Sequence, residues 1–455
     1  MAKSKKRKPQ RRPIIPSGKR KNIFWSERAK SLIVASRSLG PGLITGASDD
    51  DPSGIATYSQ AGAKFGLGML WMAVFQYPMM TVIQEMCARI GLVTGSGLAS
   101  IIKKKYSKKV VLPLASLLLV ANMVNIGADI GAMGASMRLI FPQLPIVLST
   151  LLFTAFILAS EIFIPYKKYV KILKYLTISL FAYVATAIIV GGNLGQIFIA
   201  SLVPHIEFTP DFAMMFVAIL GTTISPYLFF WQASEEAEED VARRKIKDID
   251  KGRPKITKTE VKIMKTDVAV GMAFSQFIMW AIIATTAGSL HSHGITDVQT
   301  SEQATKALEP IVKSFPYSGQ ISKVIFALGI IGTGLLAVPV LAGSSAYALS
   351  DVFGWQQGLN KRFKQAKTFY LVIAVSTTIG LWINFSNIDP IKALVYTSVI
   401  NGVTAVPILY IIIRIANDRN ILQDKINGRI SNIIGWITFM TMGISAVIMF
   451  ATWGR

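Results

Sequence analysis

The sequence predicts an all-α polytopic membrane protein with about eleven transmembrane helices, and three observations lead there. Hydrophobic residues make up 52% of the 455 and charged residues only 16%, well under the roughly one quarter charged of soluble proteins. Apolar stretches of about 20 residues, the length that crosses a bilayer, recur along the chain and use about half of it. Lysine and arginine gather in alternate connectors, as expected if positive charge is retained on the cytoplasmic side of every second boundary. No sizeable soluble domain fits in what remains.

Apolar windows place the spans near 33–61, 67–92, 111–140, 145–164, 169–191, 211–234, 267–290, 320–347, 368–385, 390–413 and 431–453. The connectors IIKKKYSKK, YKKYVKILK, ARRKIKDIDKGRPKITKTEVKIMK, NKRFKQAK and RIANDRNILQDKINGR, with the N-terminal tail, hold 39 of the 48 Lys and Arg. The expected organisation is therefore a basic cytoplasmic tail over 1–32, five helices over 33–191, an outer connector over 192–210, five more helices over 211–413, and a cytoplasmic loop with the eleventh helix over 414–455. The N-terminus is expected in the cytoplasm, the C-terminus outside, and the chain in the plasma membrane. No cleaved signal peptide is expected, because the tail lacks a compact apolar core followed by a small-residue cleavage site.

A net charge of +23 raises the question of nucleic acid. Its distribution answers it. Residues 1–30 carry twelve Lys/Arg against Glu27, and residues 240–266 carry ten against Asp240, Asp248, Asp250 and Glu260. Both segments flank apolar spans, where they suit anionic lipid rather than base-contacting structure. Membrane lipid is the expected partner, with no nucleic acid and no obligate protein partner. The lone Cys87 excludes an internal disulfide, a thiolate zinc site and an iron–sulfur cluster.

Spans 1 and 6 are irregular in the same way. Span 1 reads GPGLITGASDDDPSGIATYSQAG and span 6 reads AILGTTISPYLFFWQAS. Each passes a glycine and small polar residues, breaks at Pro52 or Pro226, and resumes towards Gln-Ala. A proline removes a helix hydrogen bond, and free backbone at membrane depth must line a cavity or be buried in protein. Two broken helices five spans apart, entering from opposite sides, are the pattern of an inverted-repeat transporter with its site near the midplane.

Asp49, Asp50 and Asp51 lie about 18 Å into span 1 at a rise of 1.5 Å per residue. An ionised carboxylate there costs at least about 2.5–3.5 kcal/mol unless it meets water, a cation or polar backbone. Successive residues point about 100° apart, so all three cannot line one pocket. Asp51, directly before the break, is the candidate ligand. Asp49 and Asp50 are expected to bond backbone across the break or to take up protons. Hard oxygen donors without thiolate or histidine suit Mg²⁺ or Mn²⁺ as the transported ion, with no cofactor. Ser48, Thr222, Thr223 and Ser225 add small oxygen donors, and the small Ser225 leaves room for a partly hydrated ion.

These motifs resemble the natural resistance-associated macrophage protein (Nramp) family, whose span 1 carries Asp-Pro-Gly-Asn and whose span 6 carries Met-Pro-His. NIGADIGAMGAS in span 3 and GTGLLAVPVLAGSSAYA in span 8 extend the likeness over essentially all the spans. It is greatest to the branch of Nramp-related magnesium transporters. The resemblance implies a leucine-transporter-like fold of 5+5 inverted repeats, and a divalent cation transporter rather than an enzyme. It assigns Asp51 to the metal, puts Gly54 where the family has its ligand Asn, and puts Ser225 where it has a thioether Met. Ser48 and Thr222 match positions that offer carbonyls, and Asn401 lies near a polar position on span 10. Tyr227 replaces the family's His. Asp129 matches a proton-pathway acid whose neighbouring acid is Ala132 here, so tight proton coupling is not expected.

Other features have plainer readings. Glu235, Glu236, Glu238, Glu239 and Asp240 read as a solvated helix end paired with Arg243, Arg244 and Lys245. His291 and His293 read as a surface loop, Met79-Met80 and Met214-Met215 as packing, and the glycines at 91–97 and 127–134 as close helix contact. Two other functions compete. An ion-coupled amino-acid carrier of the same architecture would leave the helix end free for a carboxylate. An intramembrane enzyme holding Mg²⁺ and a lipid diphosphate would need Asp49–Asp51 together with Asp248 and Asp250.

Overall fold

The computed structural model describes residues 40–164, 169, 176–190, 194–313, 317–385 and 389–452. The expected basic tail, the start of span 1 and most of YKKYVKILK lie outside the described residues. All regular structure among the described residues is helical, and seven helices are long and apolar enough to cross a membrane.

Span 1 is two helices, α1 (Pro41–Asp49) and α2 (Pro52–Phe65). Pro52 stands at the first helical position of α2, where its missing N–H costs nothing. A single turn at Gly66–Met69 then bends the chain by 106° into α3 (Trp71–Thr94). Gly66 has φ of +56°, a conformation that a side chain would strain. A short helix, α4 (Leu98–Tyr106), leads into α5 (Lys108–Ile140), and α6 (Ile146–Phe163) follows. The fifth expected span is represented by α7 (Phe181–Val190), which is apolar but short.

The expected outer connector contains a helix of its own, α8 (Leu194–Leu202). It exposes Phe198 and Ile199, the pattern of a helix lying at a membrane interface. Span 6 is again two helices, α9 (Pro210–Thr223) and α10 (Pro226–Ala242). Next comes α11 (Lys258–Ser289), which begins nine residues before the expected span at 267. The cause is local: Thr257 and Glu260 form a reciprocal capping box that starts the helix within the basic loop. The last four are α12 (Ser318–Phe353), α13 (Lys367–Ile383), α14 (Pro390–Ala416) and α15 (Arg429–Thr452).

The two broken spans share a pattern of partners. The first half of one, α1, packs on the second half of the other, α10, while α2 packs on α9. Their outer sides are held by α11 and α14. These contacts are backbone to backbone: a Cβ on Gly46 would stand 2.2 Å from the Gly271 carbonyl oxygen of α11, and one on Gly221 would stand 2.0 Å from that of Ser398 in α14. With little hydrophobic force between helices in lipid, such close approach supplies van der Waals contact instead. The long α5 packs against α12, α13 and α14 and passes beside the first break. Gly91 and Gly127 make equally close contacts, to Ala233 and Gly380, as their helix-packing reading expects.

Candidate functional site

Local chemistry shapes each break. At the first, Asp51 is extended (φ −71°, ψ 171°) and caps α2: its Oδ1 accepts from Ser53 Oγ at 2.6 Å and from the Gly54 amide at 2.7 Å. Its Oδ2 accepts from Asn125 Nδ2 of α5 at 3.2 Å. At the second, Ser225 is also extended (φ −84°, ψ 134°) but does not cap α10. Its hydroxyl turns back and donates to the carbonyls of Gly221 (2.5 Å) and Thr222 (2.7 Å) at the end of α9.

Two hydroxyls tie the breaks together. Tyr227 donates to the Ser48 carbonyl at 3.1 Å, and Tyr58 shares a hydrogen bond of 2.8 Å with Thr222 Oγ1. Ser48, Gly54, Thr222, Ser225, Asp51 and Tyr227 are all buried, so the structure encloses them. A Cβ on Gly54 would lie 3.3 Å from Thr222 Oγ1 and from the Asp49 carbonyl. Gly54 thus faces the second break at closer than ordinary contact distance, so a side chain there would require its neighbours to give by a few tenths of an ångström.

Asp49 and Asp50 turn elsewhere. Both accept from the single hydroxyl of Ser275 in α11, Asp50 at 3.3 Å and Asp49 in a shorter contact. Asp49 Oδ1 and Asp50 Oδ2 have no hydrogen-bond partner among the described residues. One hydroxyl proton is divided between two carboxylates, which leaves the pair under-satisfied. Asp129 is fully buried on α5 with both carboxylate oxygens unpartnered, and so are both amide atoms of Asn401 on α14. Among the described residues no group of three His, Cys, Asp or Glu converges as a ready metal cage. The candidate donors around the breaks are one carboxylate with hydroxyls, carbonyls and carboxamides.

Three residues escaped the sequence reading. Ser275 carries no motif, and Tyr58 lies in the span 1 stretch without being singled out. Asn125 sits four residues before Asp129, and that spacing of polar side chains on one face of a membrane helix was a usable signal.

The acidic run at the end of α10 is a correction. Glu236 and Glu238 are 5% exposed and Asp240 1%, so this is no solvated helix end. Glu238 accepts from the Tyr347 hydroxyl, the Leu359 amide (2.6 Å) and Asn360, which fastens the segment after α12 onto α10. Glu236 accepts from Gln232, whose Oε1 takes a bond of 2.6 Å from Thr45 of α1. The partner reading holds only in part: Arg243 pairs with Glu239 at 3.0 Å, and Lys245 pairs with Asp240 and with Glu260.

Asp248 and Asp250 do not form a second metal motif with Asp49–Asp51. Asp248 pairs with Lys361 at 2.7 Å between connecting loops, and Asp250 holds Ser100 and Lys104 of the short helix α4.

Paired broken helices enclosing buried hard-oxygen donors define a multi-pass membrane transporter, not an enzyme. The chain matches the family described as Natural resistance-associated macrophage protein-like over residues 42–452, and it belongs to that family. It is 25% identical over 428 residues to the divalent metal cation transporter MntH of Yersinia enterocolitica, covering 90% of this chain and 94% of that one. The Eremococcus coleocola manganese transporter, solved with an aromatic bis-isothiourea compound, superposes with a TM-score of 0.70 at 16% identity, over 94% of this chain and 87% of that one. MhsT in complex with L-phenylalanine superposes at 0.58 and 11% identity, over 90% and 98%. These likenesses confirm the leucine-transporter-like fold.

Proposed function

We propose that this divalent metal cation transporter carries Mg²⁺, with Mn²⁺ as its nearest competitor, by alternating access and without tight proton coupling. Family membership and the metal-transporting relatives supply the general class. The choice of ion rests on one observation: the second break is built from Thr222, Thr223, Ile224 and Ser225, with a hydroxyl and no thioether at its turning point. A thioether would favour Mn²⁺ and Cd²⁺, whereas Mg²⁺ takes oxygen or water and releases its water reluctantly. Asp51 would supply the charge, with Ser48 and Thr222 carbonyls, Ser225 and Asn401 around it. Asp49, Asp50 and Asp129 would tune the neighbourhood.

Two features favour transport driven by the cation's own gradient. Tyr227 engages the Ser48 carbonyl instead of offering an imidazole, and Ala132 leaves Asp129 without a second acid one turn on. Moving two charges through 100 mV contributes about 4.6 kcal/mol, enough to sustain accumulation. The amino-acid reading shares the fold, but three consecutive aspartates at the break disfavour a carboxylate substrate there.

The test is competition in proteoliposomes: Mg²⁺ should compete with Mn²⁺ uptake in the wild type. If it does not, the magnesium reading fails. A pH dye under clamped potential should stay silent during Mg²⁺ uptake, and acidification tracking uptake would refute the uncoupled reading. We also propose that 33–191 and 211–413 are the two repeats, in a plasma-membrane protein with the N-terminus and the 240–266 loop cytoplasmic. After replacement of Cys87, a cysteine in the 291–319 loop that reacts only from the cytoplasm would overturn that topology.

A further inference from the structure

We propose that Asn125 of α5 is itself a ligand of the transported cation through its carboxamide oxygen, the atom left unpartnered when its amide nitrogen bonds Asp51. This rests on the reading of Asp51 as the cation's carboxylate.

The two oxygens of Asp51 are unequal. Oδ1 is committed to Ser53 and the Gly54 amide, at 2.6 and 2.7 Å. Oδ2 is the oxygen left to meet a cation, and Asn125 Nδ2 touches it at 3.2 Å. A carboxylate can only accept, so the amide nitrogen must be the atom facing it. That decides the orientation of the carboxamide, and Oδ1 of Asn125 is left fully buried without a donor among the described residues. A buried amide oxygen without a partner is costly and calls for an occupant. Gly54, one turn beyond Asp51, offers no side-chain oxygen. A hard cation held by Asp51 Oδ2 would find in Asn125 a neutral oxygen donor of the kind Mg²⁺ accepts.

A ligand and a mere support for Asp51 respond differently to substitution. Asn125→Leu removes both the oxygen and the N–H donor. Asn125→Asp keeps an oxygen, loses the donor and adds a negative charge. Calorimetric Mg²⁺ titration of the purified protein, with the Mg²⁺-induced thermal shift, reads both. The expected result is a Mg²⁺ affinity at least roughly tenfold weaker for Asn125→Leu, a loss that a group supporting a ligand would also cause, so the aspartate variant decides between the two roles. For Asn125→Asp affinity should be kept or increased, and the thermal shift should be larger because the apo form holds facing carboxylates. If both variants lose affinity alike, Asn125 only positions Asp51 through its N–H and the proposal is overturned. It is equally overturned if Asn125→Leu binds as the wild type. Asn125→Ser, too short to reach, replaces the leucine variant if that one does not fold. Asp51→Ala separates the two levels: if it still binds Mg²⁺, the site reading itself fails, whereas if it loses Mg²⁺ while Asn125→Leu does not, only Asn125 falls.

Discussion

The two helix breaks look alike in sequence and are satisfied in opposite ways. At the first, a side chain caps the helix that follows: Asp51 takes the Gly54 N–H on one carboxylate oxygen and the Asn125 amide of α5 on the other. At the second, a side chain caps the helix that precedes: Ser225 donates to the Gly221 and Thr222 carbonyls and leaves the start of α10 without a side-chain cap. A carboxylate accepts and a hydroxyl can donate, so each residue serves the orphan groups that its chemistry allows. The first break therefore carries the charge, and on the proposed reading the second sets the space and the softness of the donors around it.

The largest expected effect follows from that asymmetry. Asp51→Ala should abolish divalent uptake, at least about a hundredfold, since a lost ligand charge in a buried site has no substitute. Ser225→Ala should cost no more than a few-fold, because the serine is engaged with its own helix. Equal losses in proteoliposome uptake would remove the distinction between the breaks. Next comes selectivity. Ser225→Met with Gly54→Asn should shift the preference from Mg²⁺ towards Mn²⁺ and Cd²⁺ by roughly tenfold, equivalent to about 1.4 kcal/mol. An unchanged order in metal competition would mean that selectivity does not reside at the breaks.

A smaller effect concerns the bond between them. Tyr227→Phe frees the Ser48 carbonyl from a hydrogen bond worth about 1 kcal/mol net. Mg²⁺ binding should tighten by a few-fold in calorimetry if that carbonyl is a ligand, and weakened binding would show that the tyrosine supports the site instead.

The smallest effect lies in an ion pair between α4 and the loop after α14. Lys105, 2.8 Å away, holds the Asp418 carboxyl below the usual aspartate range. Its folded value is depressed, so the contribution to stability is present above about pH 3.9, the ordinary value, and is lost as pH falls through the folded value. A surface pair of this kind is worth about 0.5 kcal/mol. Asp418→Asn should therefore lower thermal stability slightly at neutral pH and flatten its acid dependence. A variant that matches the wild type at every pH would show the pair to be idle.

Much of this was legible in the chain itself. Apolar windows located the seven long apolar helices among the described residues, because crossing a bilayer demands about 20 apolar residues wherever it occurs. Pro52 and Pro226 located the breaks, because proline cannot continue the hydrogen-bond ladder. The acidic end of α10 was misread because charge runs usually face water. Only the returning segment around Leu359 and Asn360 shows that this one is buried and bonded.

What the sequence determined by itself was therefore set by local or periodic physics: membrane class, span positions, broken helices, and the hard-oxygen character of Asp51 and Ser225. What the tertiary structure alone decided was which groups satisfy one another. Asp49 and Asp50 meet Ser275 across more than 220 residues of chain, and Asn125 reaches Asp51 from another helix. The physical reason is that a buried polar atom must find its partner in space. Its neighbours along the chain do not disclose which helix will bring that partner.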